Sequence, residues 1–298
     1  MKFFGVSAFP ITPMNEQGVD QAAFERLIGR LVNARVESIG VEGSTGNYPY
    51  LTHEERVRFV RVAVEAAQGT PVIASIGAYR TREVLSLGEG LQKAGVKALL
   101  LPVVAYHGLR EEEAFALYKT VSENVSVPVI IYDSPVISRF EFSDELYARI
   151  CALPHIASVK IPSGWPSCEA AAERIQRLKK KLPATIAVGV SGDDTAALEL
   201  KGGVKIWYSE WGGIFPCKAK ELADAALTGN DAELAILSEQ FEPFWEMSHK
   251  YGGSLRPISA AASILGLTER QNLPLPLREV SDADRVLLEK AISEYGMS

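Results

Sequence analysis

The chain has 298 residues, 47% of them hydrophobic, and its 31 basic and 37 acidic side chains give a net charge of −6. This length can bury a large core, and the lack of clustered Lys and Arg argues against nucleic-acid binding. No apolar run approaches the ~20 residues of a membrane span, and no signal-peptide pattern opens the chain. The three cysteines are odd in number and widely spaced, which fits reduced thiols. Composition therefore predicts a soluble, cytoplasmic, enzyme-sized protein with no nucleic-acid or membrane partner.

Short apolar runs alternate with amphipathic stretches as far as about residue 228. The runs are rich in Val and Ile and bounded by Gly or Pro, as is typical of buried parallel strands. The predicted strands are Gly5–Ala8, Ser38–Val41, Val72–Ile76, Ala98–Pro102, Val127–Tyr132, Ile156–Ile161, Thr185–Val188 and Val204–Tyr208. The predicted helices between them are Gln21–Asn33, Thr52–Ala67, Arg82–Ala94, Glu111–Glu123, Asp144–Leu153, Cys168–Lys181, Asp194–Leu200 and Cys217–Thr228.

Eight strand–helix alternations favour an α/β fold closed into a (β/α)₈ TIM barrel. An open doubly wound sheet is the main alternative, because periodicity does not reveal closure. Such a barrel takes ~250 residues, so we predict a catalytic barrel over residues 1–230 and a C-terminal helical extension over 231–298, packed on the barrel. The predicted helices of the extension are Ala232–Lys250, Pro257–Leu265 and Asp282–Tyr295.

In a barrel, chemistry is expected where strands end. Lys160 follows an apolar run at the end of the sixth predicted strand. One interpretation is a lysine that snorkels to water and pairs with a carboxylate. The other is a desolvated, neutral amine that attacks a carbonyl and forms a Schiff base. Position alone leaves both interpretations open.

Tyr132 ends the fifth predicted strand at the corresponding level. It could be a core aromatic with a hydrogen-bonded hydroxyl. Neighbouring strands are only ~4.8 Å apart, however, so its phenol could share a small volume with Lys160 and shuttle protons.

The segment Gly43-Ser44-Thr45-Gly46-Asn47 follows the second predicted strand. Its glycines let backbone N–H groups converge and its hydroxyls add donors, which suits a carboxylate or phosphate. A plain tight turn is the alternative. The histidines show no metal-ligand spacing, and Gly192-Asp193-Asp194 is better explained as a helix cap than as a Mg²⁺ site. Trp207 and Trp211 lie near the last strand's end, where they would pack or narrow a pocket.

Together these motifs resemble the dihydrodipicolinate synthase/N-acetylneuraminate lyase family of class I aldolases. The resemblance runs from the opening strand to the tail around Arg256–Leu267. It is carried by Gly43–Gly46 followed by Leu51–Arg56, by Tyr132–Pro135, by Lys160 in Val-Lys-Ile-Pro-Ser-Gly, and by Gly192–Asp194.

The resemblance implies a Schiff base between Lys160 and the ketone of pyruvate or a related 2-oxo acid. Tyr132 would relay protons, and the loop of Ser44, Thr45 and Gly46 would hold the substrate carboxylate. Tyr106 resembles a tyrosine that the synthases insert across a subunit interface to complete the relay. The family implies a homotetramer built from two dimers, with no cofactor and no catalytic metal.

Three departures from the family pattern concern the substrate. Asn47 stands where many members have an acid, and Asp133 where asparagine is usual. Ile137 occupies the position of the arginine that contacts the second substrate's carboxylate in the synthases, and the nearest arginine is Arg139. An apolar side chain cannot replace a bidentate cation. Together with the bulk of Trp207, this favours a different electrophile or substrate tail.

These features lead to three hypotheses. The first is a Schiff-base lyase, either an aldolase or a 2-keto-3-deoxy-acid dehydratase or lyase. The second is the synthase itself, with Arg139 replacing the missing arginine. The third, from another class, is a non-catalytic protein that binds 2-oxo acids or sugar acids, which would gain stability from ligand without turnover.

Overall fold

The computed structural model describes residues 2–297, so Met1 and Ser298, the outer bounds of the two predicted parts, lie outside the described residues. Eight parallel strands close into a barrel, because β1 (Gly5–Ala8) pairs with both the last strand and the next one. The other barrel strands are β4 (Ser38–Val41), β5 (Val72–Ser75), β6 (Ala98–Pro102), β7 (Val129–Tyr132), β8 (Ile156–Pro162), β9 (Ala187–Ser191) and β10 (Ile206–Ser209). The predicted TIM barrel is confirmed, and the open sheet is excluded.

Helices alternate with the strands around the barrel. The long ones are α1 (Gln21–Asn33), α2 (His53–Ala66), α3 (Thr81–Ala94), α4 (Glu111–Ser122), α6 (Asp144–Cys151), α7 (Cys168–Lys181) and α9 (Pro216–Thr228). The sequence interpretation missed the hairpin of β2 (Met14–Asn15) and β3 (Gly18–Val19), and the short α5 (Pro135–Ser138). It also began α8 (Ala196–Lys201) two residues early. None of the helices in the described range is long and apolar enough to cross a membrane.

Three strands, β7, β9 and β10, begin later than predicted, and before β9 and β10 the preceding backbone is engaged locally. The amide of Ile186 donates to the carbonyl of Pro183 at 3.0 Å, which forms a turn before β9. The amide of Val204 donates back to Glu199 at 3.1 Å, which closes the end of α8. Backbone groups used in these turns cannot enter the sheet ladder.

Side chains alternate across each strand and form two packed layers. Outward residues such as Val159 and Trp207 belong to the large core between barrel and helices. The inward layer is a smaller cluster that includes Ile130, Tyr132 and Tyr208. The barrel interior is therefore filled at the level where β7, β8 and β10 end.

The extension consists of α10 (Asp231–Lys250), α11 (Leu255–Ile264) and α12 (Asp282–Glu294). The predicted boundary after residue 230 falls between the end of α9 and the start of α10. Phe244 of α10 packs against Trp211 and Phe215, with ring centroids 5.1 and 5.0 Å apart. These aromatic contacts seat α10 beside the turn that follows β10, so the extension approaches the strand ends.

Candidate active site

Lys160 lies inside the barrel near the C-terminal end of β8. Only 2% of its surface is exposed. Its Nζ lies 4.3 Å from the ring centre of Tyr132, 4.6 Å from that of Phe9 and 5.8 Å from that of Tyr208. The paired residue on β9 is Gly189, where a Cβ would come within 2.5 Å of the Tyr208 ring, so only glycine leaves room for that ring beside Lys160. Three aromatic rings therefore surround the amine.

The amine has no ionic partner. Within residues 2–297, no carboxylate oxygen lies within 4.0 Å of Lys160 Nζ. The interpretation of Lys160 as a snorkelling, carboxylate-paired lysine is therefore wrong. A buried charge without a counterion is costly, and what remains is an amine surrounded by aromatic faces at the strand ends, where barrels carry their chemistry.

Tyr132 and Lys160 are register partners on adjacent strands, as their positions predicted. The phenol of Tyr132 donates a hydrogen bond to Ser44 Oγ at 3.4 Å. Ser44 in turn donates to Oε1 of Glu210 at 3.3 Å. Hydrogen bonds between hydroxyl groups thus join Tyr132, which lies against Lys160, to Ser44 in the loop after β4.

The loop after β4 is tightly folded. A Cβ on Gly46 would lie 2.7 Å from the backbone nitrogen of Glu42, so the close approach requires glycine. Asn47 follows with a left-handed φ of 57°. Within the described residues, Thr45 Oγ1 and both polar atoms of the Asn47 side chain are buried without a hydrogen-bond partner. Buried polar groups are normally satisfied, so these unpartnered atoms set the loop apart from an ordinary tight turn.

A buried ion pair anchors this loop, and the sequence interpretation missed it. Arg56 Nε donates to Glu42 Oε2 at 2.8 Å, and both side chains are nearly inaccessible. The other guanidinium nitrogens donate to the carbonyls of Gly77 and Ser75 at 2.8 and 2.7 Å. Arg56 therefore ties the β4 loop to the end of β5. Burial raises the pKa of Glu42 despite the adjacent guanidinium.

A cavity of about 530 Å³ opens beside Tyr132 and Ser44. Much of its wall is apolar or aromatic. It is lined by Ser44, Tyr48, Pro49, Leu51, His53, Arg56, Gly77, Ala78, Tyr79, Glu83, Leu87, Pro102, Val103, Val104, Ala105, Tyr132, Ser134, Ile137 and Ser138. Burial raises the pKa of Tyr48 to about 12, so its phenol is neutral near pH 7. Ile137 is on the wall, whereas Arg139 is exposed outside it at the end of α5.

Three predicted site residues are not brought to Lys160, namely Tyr106, Trp207 and the exposed Arg139. Tyr106 is 81% exposed and lies with His107 at a neighbouring surface pocket. Trp207 faces outward from β10, and its indole donates to Asp193 at 2.8 Å. The inward residue next to Trp207 is Tyr208, which strict alternation along the strand would have identified.

Asp193 is not the predicted helix cap, because α8 begins after Thr195. Its carboxylate accepts from the Trp207 indole and from the amides of Glu210 and Trp211. Burial, with a smaller contribution from the charge of Glu210, raises the pKa of Asp193 to about 7. Asp193 therefore positions the segment after β10. Burial also raises the pKa of Asp133, which accepts from a tyrosine hydroxyl, to about 6.

Comparison with known proteins agrees with this geometry. The sequence model of the dihydrodipicolinate synthetase family matches residues 2–295. The chain belongs to this family. Its members are lyases of the class I aldolase type, so the predicted enzyme class and family are confirmed.

Individual relatives cover nearly the whole chain. It is 33% identical over 287 residues to a 4-hydroxy-tetrahydrodipicolinate synthase from a Shewanella species, with 95% of each chain covered. The crystal structure of a dihydrodipicolinate synthase from Agrobacterium tumefaciens superposes with a TM-score of 0.94 at 40% identity, over 98% of each chain. The corresponding enzyme from Aquifex aeolicus gives 0.88 at 26% identity, over 99% of each chain.

Proposed function

We propose that this enzyme forms a Schiff base between Lys160 and pyruvate or a related 2-oxo acid, and cleaves or dehydrates the substrate as an aldolase or 2-keto-3-deoxy-acid lyase. The observation that carries the proposal is the unpaired amine among three aromatic rings, one strand away from a phenol. An amine without a counterion keeps its lone pair available for attack on a carbonyl whenever it is deprotonated.

The proposed reaction begins when the lone pair of Lys160 Nζ attacks the ketone carbon, and a proton moves from the nitrogen to the former carbonyl oxygen. Tyr132 then delivers a proton to the resulting hydroxyl, which leaves as water and gives an iminium, and the Tyr132 phenolate regains a proton from solvent. The iminium accepts the electron pair released when a bond at C3 breaks, and hydrolysis returns the amine. A phenol positioned for such transfers contributes about 10²–10⁴-fold in rate. The unpartnered hydroxyl of Thr45 and amide of Asn47 would hold the substrate carboxylate.

The synthase reaction is the second candidate, because relatives over the whole chain carry that name. The cavity favours the first candidate. Ile137 contributes an apolar surface where a carboxylate-binding arginine would be needed, and Arg139 is exposed outside the cavity. We therefore expect pyruvate with aspartate semialdehyde to be a poorer substrate combination than a sugar-derived keto acid.

The remaining features of the proposal follow the family pattern. The iminium formed on Lys160 supplies the electron sink, so we propose that no cofactor or metal takes part. We also propose a cytoplasmic homotetramer, a dimer of dimers, in which the exposed Tyr106 enters the site of a neighbouring subunit.

Borohydride trapping tests the proposal. We expect pyruvate plus borohydride to add one pyruvate-derived group to the chain, and peptide mapping to find it on Lys160, with the remaining lysines as internal controls. Lys160→Ala should abolish the adduct while circular dichroism shows a folded barrel. An unmodified Lys160 would overturn the Schiff-base proposal. Stabilisation by ligand without an adduct or turnover would favour a binding protein.

A further inference from the structure

Glu210 is an acidic group at the strand ends that has no role in the reaction proposed for Lys160. It follows β10 directly and is half-buried. One carboxylate oxygen accepts from Ser44 Oγ at 3.3 Å, and the other accepts from the hydroxyl of Ser254, which precedes α11. Ser44 also accepts from the phenol of Tyr132 at 3.4 Å. Tyr132, Ser44 and Glu210 therefore form one hydrogen-bonded chain in which each hydroxyl donates towards the Glu210 carboxylate.

The described surroundings of Glu210 hold no cationic partner. Within residues 2–297, no Lys, Arg or His nitrogen lies within 4.0 Å of it, so it forms no ion pair there. Its titratable neighbours are Asp193, which accepts from the Glu210 amide, and Tyr132 through Ser44. Glu210 is thus a carboxylate whose contacts are hydroxyl donors and whose charged neighbour is another acid.

We propose that Glu210 is the terminal proton acceptor of the site, receiving the proton removed from C3 of the substrate through Tyr132 and Ser44. The inference rests on the Schiff-base function proposed above. It gives the relay an acidic end point in the same chain, contributed by the segment after β10. The hydrogen bonds from Tyr132 to Ser44 and from Ser44 to Glu210 are 3.4 and 3.3 Å long in the structure without substrate. Catalytic hydrogen bonds of this length shorten when substrate binds.

The proposed step is balanced without another reactant. The C3–H bond of the iminium breaks, its electron pair forms the C2=C3 bond of the enamine, and the iminium π pair moves to nitrogen. The proton passes to the Tyr132 oxygen as the phenol releases its own proton to Ser44. Ser44 releases its proton to Glu210, which becomes a neutral carboxylic acid. The reverse sequence reprotonates the enamine.

Exchange of the methyl hydrogens of pyruvate in D₂O, followed by proton NMR, measures this step without a second substrate. We expect Glu210→Gln to form the borohydride adduct on Lys160 as fully as the unaltered enzyme but to slow exchange by about 100-fold or more. The matched control is Glu239→Gln, an exposed position on α10, which should exchange at the unaltered rate.

Ser254→Ala separates proton transfer from a structural role. This change removes one hydrogen bond to Glu210 but leaves the acid and its contact with Ser44. We expect it to slow exchange less than tenfold. Equal defects in Ser254→Ala and Glu210→Gln would overturn the inference in favour of a structural role, and so would exchange within threefold of normal in Glu210→Gln.

The two proposals fail in different ways. If the unaltered enzyme forms no adduct on Lys160, the Schiff-base function is wrong and the role of Glu210 falls with it. If the adduct forms in every variant and exchange does not depend on Glu210, the function stands and the inference about Glu210 is overturned.

Discussion

Replacing Arg56 by methionine should destabilise the barrel strongly and in a pH-dependent way. The side chain is buried and donates to three acceptors, which are the Glu42 carboxylate and the carbonyls of Ser75 and Gly77. Methionine fills much of the volume but donates no hydrogen bond. Arg56→Met therefore leaves one buried carboxylate and two buried carbonyls without their partner.

The size of the loss follows from these three groups. Removing one partner of a buried ion pair costs about 3–5 kcal/mol, and an orphaned buried acceptor costs about 1–3 kcal/mol. Packing of the methionine offsets part of this. We therefore expect the free energy of unfolding to fall by about 4 kcal/mol or more at pH 8. Arg58→Met, an exposed position on the same helix, should cost under about 0.5 kcal/mol.

The loss should shrink on acidification. Burial already raises the pKa of Glu42, and the guanidinium that lowers it is absent in Arg56→Met. A carboxyl whose folded pKa lies above its unfolded pKa stabilises the fold at low pH, and this stabilisation is lost as pH rises through the folded pKa. The variant should therefore recover part of its deficit at pH 5, where Glu42 can be neutral. Glu42→Gln combined with Arg56→Met should recover much of it at pH 8.

Urea titrations at pH 5 and pH 8, followed by tryptophan fluorescence and circular dichroism, measure these differences. A loss below about 1 kcal/mol at pH 8 would refute the assignment of Arg56 as a buried anchor. An equal loss at both pH values would show that Glu42 does not carry the penalty.

Three further changes probe other parts of the site. Tyr132→Phe should still form the Lys160 adduct but turn over about 10²–10⁴-fold more slowly. A single-turnover rate equal to that of the unaltered enzyme would contradict this role. Because burial raises the pKa of Asp193 to about 7, its stabilising protonated form is lost as pH rises from about 4 to 7. The melting temperature of Asp193→Asn should therefore fall less between these pH values than that of the unaltered protein. An equal fall in both proteins would contradict this. A Cβ at position 40 would lie 2.2 Å from the Phe9 ring, so Gly40→Ala should cost about 1–3 kcal/mol in urea unfolding.

Much of the fold could be predicted because local patterns repeat eight times. The bounds of β1, β4, β6, α1 and α7 match the sequence prediction, since each has a clear apolar period and a distinct start or end. Two of the errors, the late starts of β9 and β10, lie where backbone groups bond to a neighbouring turn. Such bonds depend on the precise loop path and leave little trace in hydrophobicity.

The sequence predicts those site residues that lie at the end of a recognisable apolar strand. Lys160 and Tyr132 were identified because each ends an apolar run on neighbouring strands, and the structure brings them together. Trp207 was expected at the pocket because the alternation of β10 was not followed to Tyr208, which has the inward position. Glu210 lies in a turn after a strand. Its position in the site is evident only from its contacts with Ser44 and Ser254, which are distant in the sequence.

The distribution of polar groups around Lys160 restricts how a substrate can lie. Aromatic rings cover the amine, and hydroxyl, amide and acidic groups converge from the β4 loop and the turn after β10. For the function proposed above, we expect a 2-oxo acid to bind with its ketone carbon at the amine and its carboxylate at Thr45 and Asn47. Its tail must then extend into the cavity lined by Tyr79 and Ile137, where apolar walls disfavour a second carboxylate. On the same ground we expect Arg139, which is exposed outside that cavity, not to supply the second carboxylate contact of the synthase reaction.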